Sequence, residues 1–384
     1  MHLSGRHFLQ IPGPTNVPDR VLRAIAQATI DHRSADFAAL GREVLDGLKK
    51  VFRTAGPVVI FPASGSGAWE ASLVNTLSPG DKVLTFENGE FARLWGEVGQ
   101  RLGLEVEVVL CDWRRGVDPD IVESKLRADP DIRAVLVVHN ETSTGVTSRM
   151  PEIRAAMDAA KHDALLLVDA VSSLGSIDLR HDDWRIDVTL AGSQKGLMLP
   201  PGLSFNAISE KALAASRGAR LARSYWSWQP MLASNQSGFF PYTPSTNLLY
   251  GLSEALKMLA EEGLQNVFAR HCRLAEAARA AVSAWGLEIA CERPDEYSSV
   301  VTTVMMPDGH DSDKVRAVAS ERFNLSLGAG LGRLKGKAFR IGHLGDFNEL
   351  MLAGTLAGVE MTMTAAGVPF RRGGVDAAIE LLAG

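Results

Sequence analysis

The chain has 384 residues, 46% hydrophobic and 22% charged, with a formal net charge of −5. Its length exceeds one ordinary core and sets two domains as the prior. Its acidic balance gives no reason to expect a nucleic-acid partner, which needs a basic stripe, so an anionic substrate must be held by a local cation.

In chain order, Ile11 to Pro18 is too rich in Pro and Gly for a helix or a central strand, and reads as an extended arm. Residues 35–52 carry Phe37, Leu40, Val44, Leu48, Val51 and Phe52 at helical spacing. Strand-like runs follow at 58–61, 83–86, 104–109, 133–138, 164–168, 187–191 and 203–208. Amphipathic stretches at 67–77, 89–102, 118–128 and 151–160 separate most of them. This alternation predicts an α/β fold, a mostly parallel sheet with helices on both faces. Residues 223–245 lack periodicity, and so long an irregular stretch is usually functional. Helices are expected at 246–261 and 264–285, then strands at 287–290, 300–305 and 338–341. The expected organisation is an arm over 1–20, a large α/β domain over 21–260 and a smaller C-terminal α+β domain over 261–384. Cys111, Cys272 and Cys291 are odd in number and widely spaced, which suits a reducing compartment. No run approaches the ~20 apolar residues of a membrane span, and no apolar signal core opens the chain. A cytoplasmic protein without a membrane partner is expected.

Two apolar runs end in groups that a buried strand has no structural reason to carry. Leu166-Leu167-Val168 closes on Asp169, and Val188-Thr189-Leu190-Ala191 leads through Gly192, Ser193 and Gln194 to Lys195. An acid and a lysine at one edge of a parallel sheet are what pyridoxal phosphate needs: an amine for the Schiff base and an anion for the pyridinium nitrogen. A helix N-cap is an equal reading of Asp169 alone. Ala63-Ser64-Gly65-Ser66-Gly67-Ala68 follows a strand and opens a helix, as a phosphate cradle does. A dinucleotide fingerprint fails there, because Glu70 stands where Gly or Ala is required. Phe91 follows a strand and can stack on a flat ring, although a core role is commoner. Thr142 can bond a phenolic oxygen or cap a turn. Arg340, inside an apolar run, needs an anionic partner: a substrate carboxylate or an internal salt bridge.

Together these residues resemble the class V, fold-type I aminotransferases, most closely the serine–glyoxylate and alanine–glyoxylate branch. The resemblance runs nearly end to end: PGPTNVPDRV at 12–21, DHRS at 31–34, ASGSG at 63–67, HNETSTGV at 139–146, VDAVSSLGS at 168–176, GSQKGLMLPPGLSF at 192–205, FPYTPSTNLLYGL at 240–252 and FRIGHLGDFNELM at 339–351. It implies pyridoxal 5′-phosphate on Lys195, with Asp169 on the ring nitrogen and Phe91 stacked on the ring. Ser66, Gly67 and Ala68 would hold the phosphate mainly through backbone, helped by Gln194, and Thr142 would approach the ring oxygen. Tyr242 and Thr243 would reach the phosphate of a neighbouring subunit, implying an obligate homodimer with shared sites; pairing of dimers into tetramers stays open. Arg340 would bind the substrate α-carboxylate. His343 is a candidate for a small polar substrate side chain, with a structural role equally weighted, and Arg33 is a weak candidate for a second anionic group. The implied reaction moves an amino group from L-serine to glyoxylate. Alanine and aspartate are alternative donors, and a lyase of the same fold is a remoter reading. In the segment SYWSWQPM at 224–231, Ser227 and Gln229 stand where the branch leads one to expect an acid and a base, which leaves the donor open. A cysteine desulfurase is discounted because residues 324–337 contain no cysteine.

Overall fold

The structure is a computed structural model and describes residues 5–384. Its strands are β1 (Phe8–Gln10), β2 (Val58–Phe61), β3 (Lys82–Glu87), β4 (Glu105–Leu110), β5 (Ile132–Val138), β6 (Asn140–Glu141) and β7 (Val146–Thr147). They continue with β8 (Leu165–Asp169), β9 (Val188–Gly192), β10 (Ser204–Ile208), β11 (Glu288–Ile289), β12 (Val301–Met305), β13 (Leu325–Ala329) and β14 (Ala338–Gly342). Its α-helices are α1 (Asp19–Ile25), α2 (Ala35–Phe52), α3 (Gly65–Thr76), α4 (Glu90–Arg101), α5 (Pro119–Ala128), α6 (Met150–Ala160) and α7 (Glu210–Gly218). The remainder are α8 (Trp228–Asn235), α9 (Thr246–Glu262), α10 (Leu264–Trp285), α11 (Ser312–Phe323), α12 (Glu349–Ala366) and α13 (Gly374–Leu382).

The large sheet has seven strands in the order β2-β10-β9-β8-β5-β3-β4. From β9 to β4 every neighbour is parallel, whereas β10 runs antiparallel to both β2 and β9. The central strands β8 and β9 are buried along their whole length, as strands covered on both faces must be. Alternate side chains serve opposite layers: Leu165 and Leu167 pack under α3 and α4, while Leu166 and Val168 pack towards α5 and α6. The edge strand β4 leaves Glu105 and Leu110 exposed.

A second sheet, ordered β1-β13-β14-β12-β11, has its own core of Trp285, Phe339, Ile341, Leu352 and Leu356 with α10–α13. The arm contributes to it, because β1 pairs parallel with β13 from the far end of the chain. The extended reading of the arm omits this pairing, which no local pattern encodes. The irregular stretch 223–245 contains α8, seated by Trp228 in the core and by its backbone N–H on Asn75 Oδ1 at 2.9 Å.

Candidate active site

Because β10 opposes both neighbours, β2 points the same way as β9, β8, β5 and β3. Five strands therefore deliver their C-terminal turns to one edge, where ligands of such sheets bind. A cavity of about 130 Å³ lies there, walled by Ser64, Gly65 and Ser66 after β2, Phe91 after β3, Thr142 after β5, and Asp169 and Lys195. The register fixes the acid: Asp169 pairs with Val138 and with Leu190, and its carbonyl accepts the N–H of His139 at 2.9 Å.

The Asp169 carboxylate is buried and held by two neutral donors. Val171 N–H reaches Oδ1 at 2.7 Å and the Trp69 indole N–H reaches Oδ2 at 2.6 Å. Burial nevertheless pushes its carboxyl up to about 6. Burial, with Arg340 nearby, takes the Lys195 amine down to about 8, against the pull of Asp169. Both directions follow from desolvation outweighing their mutual attraction. Lys195 Nζ donates to the Pro12 carbonyl, so the arm lies directly on the lysine. At Gly13, with φ of +107°, a side chain would collide with Lys195 Cδ, which is why the arm passes here as glycine.

The expected cradle opens α3. Gly67 and Ala68 turn their N–H groups back onto the Ser64 carbonyl, at 3.0 and 3.4 Å, and neither residue walls the cavity. Gly65 and Ser66 do wall it, and as the first residues of α3 they carry the amides that precede the helical ladder. Gly67 and Ala68, expected at the phosphate with Ser66, complete the same first turn of α3. Ser66, Phe91, Thr142 and Gln194 are brought together with Asp169 and Lys195. Gln194 Oε1 is buried with no partner among the described residues.

Arg340 stands beside this cavity and is almost fully buried. Its Nε donates to the Ala329 carbonyl at 2.7 Å and its Nη1 to the Thr142 carbonyl at 2.9 Å. No protein group bonds Nη2 among the described residues. Burial lowers its pKa to about 10, and Glu141 opposes that shift. Backbone carbonyls, and no ion pair among the described residues, hold Arg340.

Glu141 and Trp69 join the site without a local sequence signal for their role. Glu141 is buried, which raises its carboxyl, yet it faces donors throughout. Phe91 and Ala92 N–H meet Oε2 at 3.1 Å each, and Ser143 gives both N–H and hydroxyl to Oε1. It thereby pins the N-terminus of α4, and with it Phe91, to the β6–β7 hairpin.

Four other expected residues lie outside this cavity. His343 is fully buried, with Nε2 on Thr302 Oγ1 at 3.0 Å and Nδ1 on the Ser299 carbonyl at 3.1 Å. Both ring nitrogens are occupied by protein, so His343 is structural, and the substrate-contact reading is corrected. Arg33 is exposed on the turn before α2. Tyr242 stacks on Tyr225, with centroids 4.3 Å apart, and Thr243 is exposed. A larger cavity, about 1240 Å³, is at the opposite edge of the sheet around Asp187 and Ile208. Arg154 and Arg185 there are both paired with Asp158.

A seven-stranded, mostly parallel sheet with lysine and acid at its C-terminal edge, joined to a small C-terminal sheet, is the architecture of the fold-type I transferases. The class-V aminotransferase family profile matches residues 7–333, and the chain belongs to that family. It is 51% identical to the serine–glyoxylate aminotransferase of Methylorubrum extorquens, over 98% of this chain and 96% of that one. It is 46% identical to the L-aspartate–glyoxylate aminotransferase of Paracoccus denitrificans, with the same coverage. The ureidoglycine–glyoxylate aminotransferase of Bacillus subtilis superposes with a TM-score of 0.93 over the full length of both chains, at 27% identity.

Proposed function

We propose that this aminotransferase moves the amino group of L-serine to glyoxylate, giving hydroxypyruvate and glycine, with pyridoxal phosphate bound at the Asp169–Lys195 cavity. The observation that carries the reading is the meeting of a depressed lysine, a buried carboxylate and an aromatic wall in one small cavity beside a buried arginine. The residues fit the cofactor. Gly65 and Ser66 amides at the start of α3 suit a phosphate. The unpartnered Gln194 amide can turn its NH₂ to the same group. Phe91 flanks a flat ring, Thr142 lies within the same wall, and Asp169 supplies the anion for a protonated nitrogen.

When bound, pyridoxal phosphate supplies an electron sink for charge developing on the amino acid's α-carbon. Lys195 anchors it, and once released its Nζ is the base that takes the α-proton. Asp169 keeps the ring nitrogen charged. Arg340 orients the substrate carboxylate through the nitrogen left free by Ala329 and Thr142. Hydroxypyruvate leaves before glyoxylate is consumed, which makes the kinetics ping-pong. Tyr242 and Thr243 stand away from their own cavity on a Pro-flanked segment, which supports their reaching the phosphate of a second copy in a dimer.

Serine is favoured because, among the described residues, Lys195 and Arg340 are the cations placed at the cavity, enough for one carboxylate. The relatives named for serine support it as well. The Paracoccus relative favours aspartate as the second reading, in which Arg33 would supply the further cation. The test is a donor panel with glyoxylate fixed. Serine is expected to show the highest kcat/KM. An aspartate value tenfold above it, ~1.4 kcal/mol of transition-state preference, would overturn the assignment.

The clamp has its own test. Arg340→Lys is expected to raise KM for serine and for glyoxylate by about tenfold or more, because the compact ammonium lacks the planar, spread donors with which the guanidinium reaches Ala329, Thr142 and a carboxylate on different sides. Unchanged KM values for both would remove Arg340 from substrate binding.

A further inference from the structure

We infer that Trp69 is a positioning residue for this reaction: its indole N–H fixes the Asp169 carboxylate, and its ring ties that carboxylate to the wall formed by Phe91. The inference rests on Asp169 serving the cofactor's ring nitrogen. Trp69 reads as a core residue of α3, and its place in the helix gives it the second role. Gly65 and Trp69 are four residues apart and share a helix face. At Gly65 a Cβ would sit 2.6 Å from Val171 Cγ2, so glycine lets α3 close onto the segment after β8. One turn further along that face, Trp69 meets Asp169.

Burial alone does not demand this bond. Trp95 and Trp113 bury their indole nitrogens with no protein partner among the described residues. The bond to Asp169, at 2.6 Å, is short and directed to one oxygen, while Val171 N–H holds the other at 2.7 Å. Donors on both oxygens stop the carboxylate from rotating, and each oxygen keeps a lone pair for a further donor. The indole is itself held. It stacks on Trp95 with centroids 6.3 Å apart and planes 16° apart, and it tilts against Phe91 at 6.5 Å. Trp95 and Phe91 are four residues apart on α4, so one helix supplies both the ring wall and the support beneath Trp69. Acid and wall are thus set by one side chain.

The test is Trp69→Phe, which keeps an aromatic ring on Trp95 and removes the donor. β-(3-Benzothienyl)alanine at position 69 keeps the whole indole shape while replacing N–H by sulfur, and it serves should the phenylalanine variant fold poorly. Both substitutions are expected to weaken pyridoxal phosphate binding to the apo-protein about tenfold, as loss of a hydrogen bond to a charged group does. The serine half-reaction should slow by a similar factor, with KM for serine unchanged because Arg340 is untouched. The pH dependence of cofactor binding separates this from a packing defect. Lys195 and Glu141 are the charged groups that act on Asp169, and His139 beside it stays neutral, burial holding its pKa near 4. Removing the indole donor raises the Asp169 carboxyl further, so the acid limb of binding should move to higher pH. Wild-type affinity, half-reaction rate and acid limb in the benzothienyl variant would overturn the inference. Asp169→Ala is run beside it: if that variant also behaves as wild type, the reading of Asp169 has failed; if it alone is impaired, only the role of Trp69 has failed.

Discussion

Lys195→Ala is expected to abolish transamination, by at least about 10⁴-fold, the upper end of a general acid–base contribution, because the same amine is also the covalent anchor. The lysine is suited to both tasks by its surroundings. The turn after β9 delivers it to the sheet edge, and burial beside Arg340 brings its amine down to about 8. Only the unprotonated amine is a nucleophile, so capture of pyridoxal phosphate by the apo-protein should accelerate as pH rises through about 8, well below the range of an ordinary lysine. In Lys195→Ala that profile vanishes. Borohydride treatment followed by peptide mapping should fix the cofactor on Lys195 in the wild type and on nothing in the variant. A reduced adduct on another lysine, with turnover retained, would end the assignment of this site.

The arm makes the same lysine sensitive to the N-terminus. Pro12 accepts from Nζ, Thr15 Oγ1 donates to the Lys195 carbonyl at 3.2 Å, and Thr15 N–H meets the Gln194 carbonyl at 3.2 Å. The same arm feeds β1 into the small sheet, whose β14 carries Arg340. Lys195 and Arg340 are therefore linked through backbone that a local reading treats as a mere extension.

What the sequence discloses follows from where the information is local. Asp169 and Lys195 are visible because each ends an apolar strand that has no packing use for it. The alternation of strands and helices up to β10 is visible because periods of 2 and 3.6 are written in neighbouring residues. Trp69 is hidden, because an indole in an apolar helix looks like core and its partner is 100 residues away. Glu141 is hidden in part for the same reason: two of its four donors come from Ser143 beside it, but the other two, Phe91 and Ala92 N–H, lie about 50 residues away. Which amides of the first turn of α3 face the cavity depends on how that turn bonds to Ser64, which composition does not record. α12 escapes a periodicity reading because apolar residues surround it, with Leu352, Leu356, Val359 and Met363 buried and Leu350 and Met361 exposed.

Asp169→Ala is expected to cost at least on the order of 10²-fold in the serine half-reaction, the scale of a lost preorganised electrostatic contact. The carboxylate is kept in place at a thermodynamic disadvantage. Burial lifts its carboxyl from 3.8 to about 6, so the folded chain holds this proton more tightly than the unfolded one. Its protonated form therefore favours folding, and that contribution is lost as pH rises from about 4 to about 6. The wild-type apo-protein should thus melt at progressively lower temperature across that window, and the alanine variant should lack this particular decline. Truncation also strands the donors of Trp69 and Val171, each orphan costing about 1–3 kcal/mol, which offsets part of the relief at neutral pH. A cofactor with a positive ring nitrogen reverses the balance, because a cation placed against Asp169 removes the penalty of the buried charge. The variant should accordingly gain far less stability from pyridoxal phosphate than the wild type does, a difference readable as the shift in melting temperature on adding cofactor. Equal shifts in the two proteins, together with a half-reaction near the wild-type rate, would show that the ring nitrogen has no need of this carboxylate.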